Sequence, residues 1–163
     1  MGKLEDAFHT AYEGESKAAL RLKVYAKKAE EEGLTQMARL FRVISMSEEI
    51  HGERALRMLR EIKDTEENLK LSFESETRVA GVAYEQFVKQ AAAENNQAAM
   101  LMFSQSKDVE EQHAKLYKEA LNNLMEERAT KYYVCSVCGY VSDGVLPDAC
   151  PVCGAKKDQF FEY

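Results

Sequence analysis

Apolar side chains recur along most of the chain at alternating intervals of three and four, the spacing that lines one face of a helix. The first such run, over residues 4–32, passes through Phe8, Tyr12, Glu15, Ala19, Leu22, Ala26 and Ala29. Gly33 reads as its left-handed stop and Thr35 as the N-cap of a second helix. That helix is predicted over 36–62, with Met37, Phe41, Ile44, Glu48, His51, Ala55, Met58 and Ile62 as its stripe. Asp64 and Thr65 offer a turn and a cap, and Glu66 and Glu67 suit a first helical turn. A third helix follows over 66–94 through Leu69, Phe73, Glu76, Ala80, Ala83, Phe87 and Ala91. Asn95-Asn96 breaks it, and a fourth helix is expected over 97–128 through Ala99, Phe103, Ser106, Glu110, His113, Tyr117, Ala120 and Leu124. Lys131-Tyr132-Tyr133-Val134 then reads as a short strand.

Each stripe is interrupted by groups that do not belong in an apolar face. Glu15, Glu48, His51, Glu76, Glu110 and His113 lie on stripes otherwise made of apolar side chains. Burying such a group without a partner costs on the order of several kcal/mol, so something must compensate it, and a metal is the obvious agent. Within each Glu-x-x-His the two ligating side chains stand three apart and share a face. Glu15 precedes Glu48 by 33 residues and Glu76 precedes Glu110 by 34, so each helical hairpin repeats Glu, then Glu-x-x-His. This is the ligand pattern of ferritin-like four-helix bundles that hold two iron or manganese ions. Glu13, Glu49, Glu74 and Glu111 fall off the stripes and read as solvated helix faces.

The chain has 163 residues, enough for one cored domain and a small module, here 1–130 and 131–163. Its formal charge is −6 with no basic cluster, which argues against a nucleic-acid partner. No apolar run approaches the length of a membrane span and the N-terminus turns polar at once, so no membrane association and a cytoplasmic location are expected.

All four cysteines fall late, as Cys135-Ser136-Val137-Cys138-Gly139-Tyr140 and Cys150-Pro151-Val152-Cys153-Gly154. Two Cys-x-x-Cys pairs at this separation describe a tetrathiolate metal knuckle, and so short a segment needs the metal to hold its shape. A disulfide pair is the poorer alternative, because all four thiols fit one tetrahedral site. Spacing alone leaves zinc and iron open.

Over nearly its whole length the chain resembles the rubrerythrin family. The resemblance rests on Gly14-Glu15-Ser16, Glu48-x-x-His51, Glu74-Ser75-Glu76, Glu110-x-x-His113 and the rubredoxin-like Cys135, Cys138, Cys150 and Cys153 with their following glycines. It implies a mainly α fold, with a ferritin-like four-helix bundle and then a rubredoxin-like knuckle. Its cofactors would be a di-iron centre and one Fe(Cys)4 iron. It also implies a cytoplasmic non-haem peroxidase that reduces hydrogen peroxide to water in oxidative-stress defence. Electrons would come from an external donor protein through the rubredoxin-like iron, in this family that of the partner subunit of a homodimer. Glu15 and Glu76 would be terminal ligands, Glu48 and Glu110 bridging ones, and His51 and His113 would each bind one iron. Tyr84 matches a tyrosine that the family keeps beside the ligands, and Tyr133, Tyr140 and Phe160 would cover the Cys site.

Two positions depart from the pattern. The family usually carries a further glutamate three residues after the helix-three ligand, where this chain has Val79, and a tyrosine where it has Leu22. The lost carboxylate keeps dioxygen as oxidant and ferroxidation or iron storage open, and a colourless scaffold with zinc in the Cys site is a separate alternative. Chain geometry adds one more expectation. Helices two and three of a ferritin-like bundle run parallel, and the arms from Glu48 to Ile62 and from Glu66 to Glu76 cover about 36 Å. Lys63–Thr65 spans only about 10 Å. Either the start of helix three unwinds into an extended strap, or the two hairpins exchange between the chains of a dimer, the reading favoured by the helix cap at Asp64-Thr65.

Overall fold

The computed structural model describes residues 2–123 and 129–163. They form two compact units, 1–63 and 64–163. The first is a helical hairpin of α1 (Lys3–Glu31) and α2 (Thr35–Met58). The second contains α3 (Thr65–Arg78), a π-helical turn (Val79–Tyr84), α4 (Glu85–Ala93), α5 (Gln97–Asn122) and three short strands. Among the described residues no helix is long and apolar enough to cross a membrane.

The hairpin turns where glycine permits it. Gly33 has φ +75°, its N–H bonds Glu30 O, and the Leu34 N–H reaches Ala29 O at 2.8 Å, a Schellman stop. Thr35 is already helical and Leu34 takes the cap position, without a side-chain bond. Helix α2 ends at Met58, short of the expected Ile62, because Arg60 adopts φ +57° and breaks the hydrogen-bond ladder. The seam between α1 and α2 keeps the expected Ala19, Ala26, Ala29 and Ala55 and departs from the expected α2 stripe elsewhere. Its buried members are small: Ala19, Ala26 and Ala29 against Ala38, Ser45, Gly52 and Ala55. On α2 the line Ala38, Ser45, Gly52 has a strict seven-residue period, which keeps a seam facing its partner helix. Met37, Ile44 and Met58, members of the expected stripe, stay exposed on the flank of this seam.

Asp64 caps α3, its Oδ1 accepting from the Glu67 N–H at 2.9 Å. The segment is therefore helical from Thr65, and the extended strap is ruled out. The expected continuous helix 66–94 is instead opened at Val79–Tyr84, where backbone bonds run i→i+5. One residue too many is accommodated there. The cap residue Glu32 stands 17 positions after Glu15 and its counterpart Glu94 stands 18 after Glu76, while Glu48 and Glu110 each follow their cap by 16. Beyond the turn Val88 is partly covered and Phe87, expected inside, is 41% exposed, while Ala91 is buried as expected. Asn95, with φ +53°, repeats the role of Gly33, and Asn96 caps α5 through Oδ1 to the Ala99 N–H at 3.1 Å. The expected end of the fourth helix, including Leu124 and residues up to Arg128, lies outside the described residues.

The strand predicted at Lys131–Val134 is β1 (Tyr132–Cys135), the centre of an antiparallel sheet ordered β2 (Val141–Asp143), β1, β3 (Phe160–Glu162). The sheet sets Cys135 opposite Phe160.

Candidate metal centres

Three groups of ligand-type side chains converge, each within one unit. In the hairpin, Glu15, Glu48 and His51 bring one ligand atom apiece to within 4.8 Å of one another. Helix α2 places Glu48 and His51 one turn apart, with His51 Nδ1 3.0 Å from Glu48 Oε2. Glu15 Oε1 approaches the same nitrogen at 3.9 Å across the seam, level with Gly52. Two helices cannot enclose this group. His51 remains 49% exposed at its side chain, where the stripe predicted a buried one.

The second unit repeats the arrangement with Glu76, Glu110 and His113. His113 Nδ1 lies 2.9 Å from Glu110 Oε2, and its Nε2 faces the Gly139 carbonyl at 3.3 Å. Burial, and then the adjacent Glu110 carboxylate, raise the Glu76 pKa above its ordinary value, with His113 opposing. Carboxylates held this close repel as anions, and a cation between them removes the repulsion. Each triad thus offers two hard oxygen donors and one imidazole nitrogen, and together they supply the ligand set of a di-iron centre.

Off-stripe glutamates lie outside these groups. Glu13 pairs with Lys17 at 3.1 Å, Glu111 with Lys107 at 3.8 Å and Glu49 with Lys23, while Glu74 is exposed. Tyr84, which ends the π-helical turn, packs its ring against Phe87 and Phe103 at centroid distances of 5.7 and 6.2 Å. Val79 opens the same turn and is half-buried.

The four cysteines form the third group. Two matching turns present them: the Gly139 N–H bonds Cys135 O and the Gly154 N–H bonds Cys150 O, both at 2.9 Å, with φ +83° and +74°. Glycine is required at both because the turn needs a left-handed residue. Cys135 Sγ lies 3.7 Å from Cys153 Sγ, and Cys138 Sγ 3.6 Å from Cys150 Sγ. These separations are far beyond a disulfide bond of about 2.05 Å. They match the roughly 3.8 Å edge of a tetrahedron built on metal–sulfur bonds of about 2.3 Å. Burial pushes the Cys138 and Cys153 thiols up, whereas at Cys135 backbone N–H donors outweigh burial and bring the thiol down. The four thiols fit a single Fe(Cys)4 ion, which would draw all of them into the thiolate form.

The structure gathers into these three groups ten residues that the sequence proposes as ligands, and it sets the Gly139 carbonyl, which the sequence did not suggest, beside His113. Backbone groups carry no signature in side-chain spacing, and these two residues are 26 positions apart.

Residues 6–121 match the family model described as rubrerythrin, and residues 133–161 the one described as rubrerythrin, rubredoxin-like domain. Rubrerythrin-2 of Clostridium acetobutylicum is 28% identical over 95% of this chain and 94% of its own. Nigerythrin of Nitratidesulfovibrio vulgaris is 28% identical over 100% of this chain and 88% of its own. Solved structures of nigerythrin in mixed-valence and fully reduced, all-ferrous states superpose with a TM-score of 0.61 at 28% identity, covering the whole chain.

Proposed function

The chain belongs to the rubrerythrin family, and from that premise we propose that it is a peroxidase reducing hydrogen peroxide to water. The observation that carries this reading is the union in one chain of two carboxylate–imidazole triads with a tetrathiolate site. The first suits a two-electron step and the second a one-electron relay. In the balanced reaction peroxide takes up two electrons and two protons, its O–O bond breaks and two water molecules leave. A di-iron centre, when bound, supplies both electrons to that bond at once.

The residues divide the work. Glu15 and Glu76 would hold the ions as terminal ligands, Glu48 and Glu110 would be shared between them, and His51 and His113 would each bind one. Tyr84 is the proposed proton donor from the aromatic cluster, with a ligand carboxylate as its partner. Cys135, Cys138, Cys150 and Cys153 hold the relay iron, fed by an external donor protein, and Tyr133, Tyr140 and Phe160 keep water from it. Residues 1–130 form the bundle domain and 131–163 the relay module of this cytoplasmic enzyme.

The working form in this proposal is a homodimer with exchanged hairpins. The connector 59–64 spans about 20 Å at most. The α2 arm from Glu48 and the α3 arm to Glu76 together require about 31 Å of climb if the ligands are to meet at one level. Leu20, Val24, Val43, Met46 and Ile50 are each more than half exposed, apolar area that a partner chain would cover. Val79 favours a second reading, an oxidase or ferroxidase, because a carboxylate is missing from the family's ligand pattern at that position.

The test is optical. The protein is reduced without oxygen, and peroxide or air is added in parallel while the colour of the Fe(Cys)4 site is followed. Colour returning faster with peroxide upholds the peroxidase. Faster return in air transfers the reading to an oxidase, and a protein colourless throughout overturns the relay.

A further inference from the structure

Gly52 is smaller than its place requires. It stands in the interior of α2, one turn after Glu48, where glycine costs about 1 kcal/mol relative to alanine. Its backbone is helical, so no left-handed turn calls for it. Packing does not call for it either. A Cβ there would meet nothing closer than Ser16 Oγ at 3.6 Å and Glu15 Cβ at 3.7 Å, both ordinary contacts. The second unit carries Ala114, 8% exposed, one position after its histidine. One position after its first glutamate stands Thr77, whose hydroxyl donates back to Phe73 O at 2.8 Å. Beside the ligands of the first unit, the seam therefore keeps a gap that a methyl group would fill.

The gap belongs to a groove. Gly52 and Ser16 line a space of about 320 Å³ on the hairpin together with Tyr12, Lys23, Glu48 and Glu49. A water molecule takes about 30 Å³, so several molecules of peroxide size fit there. Glu48 is the only triad member that lines it. Glu15 and His51 line a different groove, of about 500 Å³, with Phe8, Ala11 and Met58. The triad is thus the wall between the two. In the di-iron reading above the triads meet across the wider groove, which closes it and leaves the narrower one. The rim of the narrower groove is polar: Lys23 and Glu49 pair across it, Ser16 is exposed and the Glu53 side chain is 55% exposed.

We propose that this groove admits hydrogen peroxide to the metal position of Glu15, Glu48 and His51, and that Gly52 sets the width of the passage. This rests on the peroxidase reading above. Gly52 touches neither the ion nor the bond that breaks. It acts by leaving out a side chain, at a cost in helix stability that neither backbone geometry nor packing explains.

The test uses azide, a small triatomic ligand that binds ferric ions and colours them, so entry is read without turnover. The oxidised, iron-loaded protein is mixed with azide in a stopped-flow instrument, as wild type and as Gly52→Ala, Gly52→Val and Gly52→Leu. The binding rate is expected to fall in that order, by about ten-fold or more at leucine. The azide dissociation constant should change little, because a narrowed passage slows entry and exit alike. A folded, fully loaded Gly52→Leu that takes up azide at the wild-type rate overturns the proposal. So does a dissociation constant that weakens in step with the rate, which marks displaced ligands in place of a blocked passage. Should leucine prevent folding, Ser16→Leu, which extends an exposed side chain beside the same gap, decides by the same two readings. Recolouring of the reduced protein tests the premise separately. If the azide rates fall as expected while peroxide recolours the wild type no faster than air, the passage stands and the peroxidase reading falls.

Discussion

The Ser45 hydroxyl, 1% exposed at the centre of the hairpin seam, donates to the Ala19 carbonyl at 2.9 Å and ties α2 to α1 a few residues from Glu15 and Glu48. Ala19 O is also the helical acceptor of α1, so removing the hydroxyl leaves no orphaned partner. Ser45→Ala is expected to cost about 1 kcal/mol. Ser45→Leu overpacks the seam and should cost about 1–3 kcal/mol. Denaturant titration reads both, and only the leucine variant should also weaken metal uptake, by forcing Glu15 away from Glu48.

Gly52 gives the opposite sign. It lies within α2, and a Cβ added there meets its nearest neighbour, Ser16 Oγ, at 3.6 Å, an ordinary contact. Gly52→Ala should stabilise the protein by up to about 1 kcal/mol through helix propensity. A fall in thermal midpoint would show that the seam is tighter than this distance implies.

The raised Glu76 pKa makes stability depend on pH in a defined direction. The folded metal-free protein holds this proton more tightly than the unfolded chain, whose carboxyl has the ordinary value of 4.5. Its contribution is therefore most favourable below that value and is lost as pH rises through the raised one. Glu76→Gln should make the metal-free protein more stable than wild type at neutral pH, with the advantage vanishing in acid. Metal binding must displace the same proton, so uptake by the wild type should weaken as pH falls through that window. Thermal melts of both proteins, with and without metal, check the sign.

Chelation should separate the two kinds of element. The sheet of residues 132–162 has few buried apolar side chains, Cys135 and Cys150 among them, and its fold depends on the bound ion. Stripping that ion is expected to abolish the visible band and the protection of the strand amides, while far-UV helicity persists. Because burial holds the Cys138 and Cys153 thiols up, reloading should accelerate as pH rises. Simultaneous loss of helix signal would contradict this division.

Val79→Glu returns a carboxylate to the first position of the π-helical turn. It is expected to change the ratio of recolouring rates with peroxide and with air. An unchanged ratio would remove Val79 from any account of oxidant preference.

Local chemistry explains which features the sequence disclosed. Gly33, Asp64 and Asn96 mark helix ends because each performs the terminating or capping act with its own atoms. The ten ligand-type residues were legible because carboxylates and imidazoles set into apolar stripes, and thiols paired at Cys-x-x-Cys spacing, are costly to gather unless an ion joins them. The end of α2 was not, since Arg60 has no intrinsic reason to adopt φ +57°. Ala38, Ser45 and Gly52 escaped because small side chains register weakly in any hydrophobic count, although their size is what lets α1 and α2 approach. The exposure of His51 follows from how few elements surround it, which periodicity cannot convey.

The π-helical turn Val79–Tyr84 prevents a phase slip. An α-helix advances about 100° per residue, so one inserted position would rotate all that follows by more than a quarter of a circle, and the wider i→i+5 turn takes up that residue instead. Ala80 before the turn and Ala91 beyond it are both buried, and the aromatic rings of Tyr84, Phe87 and Phe103 gather beside the turn. The first hairpin has no such offset. The two halves thus carry like triads, Glu15, Glu48 and His51 against Glu76, Glu110 and His113, and the second reaches its own only by widening one turn.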